Sequence, residues 1–207
     1  MTNQTDKRVM DNLNLLDEIR AIAQLGLNYS KDPYDLERYH RLLALASSEY
    51  SVITGLQPDE IKERFSQELG YITPKVGVQG VLINEAGQIL LELRKDDNLW
   101  GLPSGWVEVG ETPEEAIIRE FKEETNLSVQ PLKMLGLYSR KPGEYNQPHS
   151  SIHLLYYCLF ISGELAISHE SSAMRFCSIR EIDNWHKDHL EQAKKGIEFW
   201  KSKQKSL

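Results

Sequence analysis

The chain has little that would tie it to an oxidising, membranous or polyanionic setting. It carries only 2 cysteines in 207 residues, too few for a disulfide scaffold. Both Cys158 and Cys177 fall in apolar, strand-like segments where they read as small core side chains in a reducing compartment. No apolar run approaches the roughly 18 residues of a membrane span; the longest, residues 154–161, has the length of a strand. The opening stretch, Met1 to Lys7, has no apolar segment of the secretory kind, so the expectation is a cytoplasmic protein. With 8 Pro and 13 Gly, 40% hydrophobic and 27% charged residues, low-complexity and collagen-like chains are excluded as well. Basic charge is also scarce: 24 Lys+Arg face 31 Asp+Glu, for a net charge of −7. The one basic stretch, residues 201–205, reads as a frayed tail. A protein held to nucleic acid through phosphates carries a basic face, so neither a nucleic acid nor a membrane is expected as partner. An acidic chain that handles phosphates needs local cations or a divalent metal.

What is present divides near residues 70–75. Residues 12–27 place Leu13, Leu16, Ile19, Ala23 and Leu27 at helical spacing. A second helix opens with Asp32 as N-cap and Pro33 at its first position, carrying Leu36, Tyr39, Leu42, Leu43 and Ala46. A third starts at Pro58 and runs through Ile61, Phe65 and Leu69 to Gly70. These define a small all-α domain over residues 1–70, too small to bury a large core alone. It is expected to serve in dimerisation or in support of the substrate pocket.

From Pro74 the period changes. Val76, Val78, Val81 and Ile83 read as a strand, residues 84–87 as a turn, and Ile89 to Leu93 as the returning partner strand. A helix over residues 113–125 follows, then strands near residues 132–138, 152–162 and 173–177, and a closing helix over about residues 188–200. The near-continuous apolarity of residues 152–161 predicts a strand covered on both faces. The fold class is α+β, with a mixed sheet and helices on both sides over residues 72–207.

The informative segment lies between Gly105 and Leu127. Thr112, Pro113 and Glu115 make a capping box with proline at the first helical position. At about 100° per residue, Ile117, Phe121 and Ile118 form one apolar stripe and Glu120, Glu123 and Glu124 the adjacent arc. Glu120 faces Glu123 and Glu124 at i+3 and i+4, each like-charge pair costing roughly 0.2–0.5 kcal/mol. Arg119 offsets part of this. A solvated acidic face is one reading; the other is a divalent cation, since several carboxylates on one face suit Mg²⁺ or Mn²⁺.

This segment resembles the Nudix box. Gly105, Glu111, Arg119, Glu120, Phe121, Glu123, Glu124 and Leu127 match its pattern at the required spacing, and Asn126 stands where the family has Gly. That site asks for a left-handed residue just past a helix, a role Asn fills next best. The resemblance implies a Nudix α/β/α sandwich and a Mg²⁺- or Mn²⁺-dependent hydrolase of nucleoside diphosphates linked to another group. It makes Glu120, Glu123 and Glu124 metal ligands. Glu111 supports the site through the metal shell or the loop, Arg119 orients the carboxylates, and the Gly105 carbonyl is a further ligand candidate. The general base is either a box glutamate, Glu123 foremost, or Glu170, whose loop resembles the place where many Nudix enzymes supply an extra Glu.

Outside the box, Pro142 lies 15 residues after Leu127, which resembles a feature of ADP-ribose-hydrolysing members; a turn proline is the other reading. Tyr138, Tyr145 or Trp100 would stack on a base, and Arg94, Arg140 or Lys141 would meet phosphates, though each taken singly also reads as core or surface. His149 and His153 read as structural. Residues 21–39 resemble the helical extension of a bacterial Nudix subgroup described as dimeric ADP-ribose or CDP-choline pyrophosphatases. The expectation is therefore a homodimer acting on a small nucleoside diphosphate derivative. ADP-ribose, giving AMP and ribose 5-phosphate, comes first, and CDP-choline, giving CMP and phosphocholine, second. A rival of another class is a non-catalytic ADP-ribose-sensing domain. Such domains carry a DNA-binding partner, which the 8 Lys+Arg against 12 Asp+Glu of residues 1–70 do not suit.

Overall fold

A computed structural model describes residues 4–70, 72–108 and 110–205. The chain forms two compact units, residues 1–75 with 140–151, and residues 76–139 with 152–207.

The first unit is helical: α1 (Gln4–Tyr29), α2 (Pro33–Thr54) and α3 (Pro58–Ser66). Asp32 caps α2 by accepting from the Tyr34 and Asp35 amides, with Pro33 at the first position, and Gly55 closes it in the left-handed region. Leu13, Ala23, Leu43, Tyr50, Ile61 and Phe65 build its core. Arg20 is buried within it, its guanidinium 4.3 Å from the Phe65 ring centre and donating to Gln24 Oε1 at 2.8 Å and the Pro148 carbonyl at 3.0 Å. Two sequence expectations change here. The third helix stops at Ser66 instead of reaching Gly70, because Gln24 Nε2 takes the Phe65 and Glu68 carbonyls at 2.5 and 2.6 Å and turns the chain away; Leu69 is left exposed. The division of the chain is also not a single cut: residues 140–151 join the helices, and Arg20 fastens them there.

The second unit holds β1 (Lys75–Leu82), β2 (Ile89–Arg94), β3 (Trp100–Gly101), β4 (Ser104–Trp106), α4 (Pro113–Thr125), β5 (Ser128–Arg140), β6 (Ser151–Ser162), β7 (Ser171–Cys177) and α5 (His189–Gln204). These strands form two sheets, ordered β4-β1-β6-β5 and β3-β2-β7. Alternation along the strands makes two cores. Val78, Leu82, Leu90, Tyr156 and Cys158 pack with Ile117 and Phe121 of α4. Val81, Ile89, Leu91, Leu155, Tyr157 and Cys177 pack with Ala193 and Phe199 of α5. Both cysteines are free and buried. Gly80 leaves room for α4: a Cβ there would stand 2.1 Å from Phe121.

Three further expectations are corrected. β1 and β2 do not return on each other as a hairpin. Both edges of β1 are taken by β4 and β6, so among the described residues the ladder between this segment and β2 is reduced to the Ile83–Ile89 bridge, and β2 pairs with β3 and β7. β6 is covered only as far as Cys158; Phe160 and Ile161 emerge into solvent. The basic tail is helical to Gln204, with Lys203 Nζ 6.0 Å from the Tyr157 ring centre. Among the described residues, no helix is long and apolar enough to cross a membrane.

Candidate active site

Helix α4 begins and ends as its sequence demands. The Thr112 hydroxyl accepts from the Glu115 amide at 3.2 Å while Glu115 accepts from the Thr112 amide at 2.8 Å. Asn126 closes the helix at φ 60° and donates to the Glu164 carbonyl, a left-handed position that its side chain helps hold. Burying Ile117 and Phe121 against the sheet leaves Glu120, Glu123 and Glu124 along a cavity of about 460 Å³, whose other wall is Ser168, His169 and Glu170.

Arg119 organises the acids. It meets Glu111 at two points, Nε to Oε1 at 2.7 Å and Nη2 to Oε2 at 3.0 Å. Its Nη1 donates to Glu120 at 2.9 Å and Glu123 at 3.0 Å, and its Nη2 also to the Trp106 carbonyl at 3.0 Å. Pairing with Glu111 above all holds this guanidinium charged, and Arg119 in turn holds the Glu111 carboxyl below its usual range. Glu124 is buried and takes the Ser104 amide at 2.9 Å. Burial, with Glu92 and Glu120 nearby, pushes its carboxyl well above the ordinary range. Burial also raises Glu120, against the pull of Arg119. Gly105 lies against Glu120; a Cβ there would fall 1.9 Å from Oε1, so only glycine leaves that carboxylate its place.

The loop that presents Ser104 is braced from behind. The Leu102 amide donates to His189 Nδ1 at 3.0 Å. The other ring nitrogen, Nε2, lies 2.9 Å from the Gln79 side-chain amide. The His186 ring stacks edge-on at 4.9 Å and meets Asp97 Oδ2 at 2.5 Å.

Of the residues expected to touch substrate, Arg94 feels the charge of Glu124 and is ion-paired to Asp96 at 3.0 Å and Glu92 at 3.6 Å. Trp100 and Tyr138 instead join the α5-side core, under Arg175 and Lys195 respectively. Arg140, Pro142 and Tyr145 belong to the helical unit, the first two buried and Arg140 stacked 5.4 Å from the Tyr145 ring. Sequence reading overlooked Glu92, a buried acid on β2 whose Oε2 accepts from the Ser171 hydroxyl. Its signal was a charge inside the apolar run Ile89-Leu-Leu-Glu-Leu93.

The donors fit a hard divalent cation. They are all oxygen, several share one wall, and burial with neighbouring acids already penalises the charge of Glu120 and Glu124. They surround the cavity without meeting at one point: among the described residues no three His, Cys, Asp or Glu side chains converge at ligand spacing.

Known proteins share this sequence and fold. The NUDIX domain model matches residues 73–198, and a model described as a UDP-X-like N-terminal oligomerisation domain matches residues 10–65. YjhB of Bacillus subtilis strain 168, provisionally named an ADP-ribose pyrophosphatase, is 38% identical over 147 residues, 70% of each chain. The ADP-ribose pyrophosphatase of Methanocaldococcus jannaschii is 36% identical over 64% of this chain and 78% of its own. Among solved structures, one titled UDP-X diphosphatase superposes with a TM-score of 0.57 at 25% identity, covering 94% of this chain and 96% of that one. An ADP-ribose pyrophosphatase from Streptococcus suis covers 62% of this chain and 92% of its own, with a TM-score of 0.53 at 26% identity.

Proposed function

The chain belongs to the Nudix hydrolase family, and from that premise we propose that it cuts the diphosphate of ADP-ribose, giving AMP and ribose 5-phosphate, with Mg²⁺ or Mn²⁺ as cofactor. As a pyrophosphohydrolase it acts on nucleoside diphosphate compounds, which its relatives support. The observation that carries the reading is the wall of Glu120, Glu123 and Glu124 facing Glu170 across one cavity. Glu120, Glu123 and Glu124 would hold the cation, with Glu111 and the Gly105 carbonyl as further support. When bound, the cation supplies neutralisation of the diphosphate and a water of lowered pKa. The protein's own part is placement. Arg119 fixes Glu111, Glu120 and Glu123 relative to one another, the Ser104 amide fixes Glu124, and Glu170 or Glu123 takes the proton from the attacking water. Arg94 meets a phosphate oxygen from the edge of the site. No covalent intermediate is required.

ADP-ribose takes first place because two relatives that share over a third of their matched residues carry that activity in their names. A uridine-diphosphate-linked compound is a second reading, favoured by the one structural neighbour described above that spans both units. CDP-choline completes the panel. Cytoplasmic residence suits the two buried free thiols. Self-association suits the helical unit, whose α1 exposes Leu15, Ile22 and Tyr29 at seven-residue intervals and whose α2 exposes Leu45 and Val52.

The test is a panel of ADP-ribose, UDP-sugars, CDP-choline and nucleoside triphosphates with Mg²⁺, reading phosphate release after phosphatase addition. Fastest turnover of ADP-ribose is expected; hydrolysis confined to triphosphates overturns the substrate assignment.

A further inference from the structure

Glu170 is an exposed loop acid, its side chain 59% accessible, yet it takes a defined place opposite α4. Several bonds from one short stretch of chain account for this. The Lys95 amide donates to the Glu170 carbonyl at 2.9 Å, and Lys95 Nζ donates to the His169 carbonyl at 2.6 Å. One residue on, the Ser171 hydroxyl donates to buried Glu92, and Ser172 Oγ donates to the Leu93 carbonyl at 3.1 Å. The β2–β7 ladder shifts register here: Leu93 pairs with Ala173 but Arg94 with Ser171, leaving Ser172 as the extra residue. A bulge of this kind bends its strand and re-aims the residues beyond it. Residues 92–95, none of which lies in the Nudix box, thus hold the chain on both sides of the Glu170 side chain, at His169 and at Ser171.

We propose that Lys95, together with Glu92, is a positioning residue that holds the Glu170 loop at the carboxylate cavity. The proposal rests on Glu170 serving the reaction. Lys95 acts through the two carbonyls that flank the Glu170 side chain. Losing the Nζ bond leaves the backbone bond and the bulge in place, so the fold stays and the loop loosens. Glu92 contributes by fixing Ser171, and its other oxygen, Oε1, has among the described residues the Arg94 ion pair at 3.6 Å and no hydrogen bond.

The experiment is a double-mutant cycle on the full chain with ADP-ribose and Mg²⁺, combining Lys95→Ala with Glu170→Gln. Amide exchange over residues 166–172 is measured in the metal-free protein alongside it. Lys95→Ala is expected to lower kcat roughly ten- to a hundredfold with KM unchanged, to speed exchange in that segment alone, and to be rescued by Lys95→Arg. Added to Glu170→Gln it should cost less than about twofold more, since the two act as one unit. Independent, multiplying losses or unchanged exchange overturn the proposal. A Glu170→Gln enzyme with full kcat overturns the role of Glu170 and the proposal with it. A disabled Glu170→Gln beside a fully active Lys95→Ala overturns the positioning alone.

Discussion

Arg119 and Glu111 face each other fork to fork, two parallel bonds of 2.7 and 3.0 Å joining a helix to the loop that precedes it. The same guanidinium spends its remaining donors on Glu120, Glu123 and a backbone carbonyl. One planar cation thus sets the spacing of three acids. Lysine keeps the charge but cannot fork. Arg119→Lys should reduce kcat/KM by roughly a hundredfold and shift Tm by only a few degrees, the pair being partly solvent-screened. Steady-state kinetics and a thermal melt check both halves; an unimpaired Lys variant would remove Arg119 from the organising role.

Chelation offers a second check. Excess EDTA should abolish turnover and Mg²⁺ or Mn²⁺ restore it. Glu120→Gln and Glu124→Gln should each weaken Mn²⁺ binding at least about tenfold, read by electron paramagnetic resonance without substrate. Unaltered Mn²⁺ affinity in both would remove these acids from the ligand set.

Gly105→Ala is a steric test. The added methyl would meet Glu120 Oε1 at 1.9 Å and Glu120 Cδ at 2.0 Å, so the carboxylate must leave its place. Loss of nearly all activity is expected with secondary structure intact by circular dichroism; an active Gly105→Ala enzyme would mean that Glu120 need not stand there.

Acid sensitivity should trace in part to His149. Burial and the Lys75, Arg20 and Arg64 charges lower its pKa to about 4 against the opposing pull of Glu68, from an ordinary value of 6.5. Between those values the unfolded chain binds a proton that the folded chain refuses, so stability falls as pH drops from about 6.5 towards 4 and is level above. Replacing His149 with Gln should flatten Tm over that window relative to the parent; a parallel decline in both proteins would assign the acid loss elsewhere.

The outward stripe of α1 predicts a change in mass. Ile22→Glu combined with Leu45→Glu should convert a dimer to a monomer in sedimentation, leaving helicity unchanged because neither side chain is in the core. A dimer that survives both charges would move self-association to another surface.

What could be read ahead followed from local chemistry. Helix α4 was legible to the residue because its start, stop and faces are written in neighbours: Thr112 with Glu115, Asn126 in the left-handed region, Ile117 and Phe121 a turn apart. The pairing of β1 was not. The turn at residues 84–87 does form, with Gly87 donating to Asn84, but whether a turn yields a hairpin depends on who else claims the strand edges. β4 and β6 claim them here from residues far along the chain. Glu92 was missed for a similar reason. Its neighbours in sequence are leucines, and its partner Ser171 lies 79 residues away. Trp100 and Tyr138 carry side chains suited to stacking on a base, yet the second core needed their bulk; residue type alone does not separate the two uses.

Because residues 140–151 return to the helices before the chain goes back into β6, the backbone passes from one unit to the other three times, near residues 75, 139 and 151. A protease nick near residue 72 would not set the helices free. A gene trimmed to begin at Pro74 would keep the returning strap and discard what the strap is fastened to. Any exchange of the helical unit between chains has to carry residues 140–151 with it.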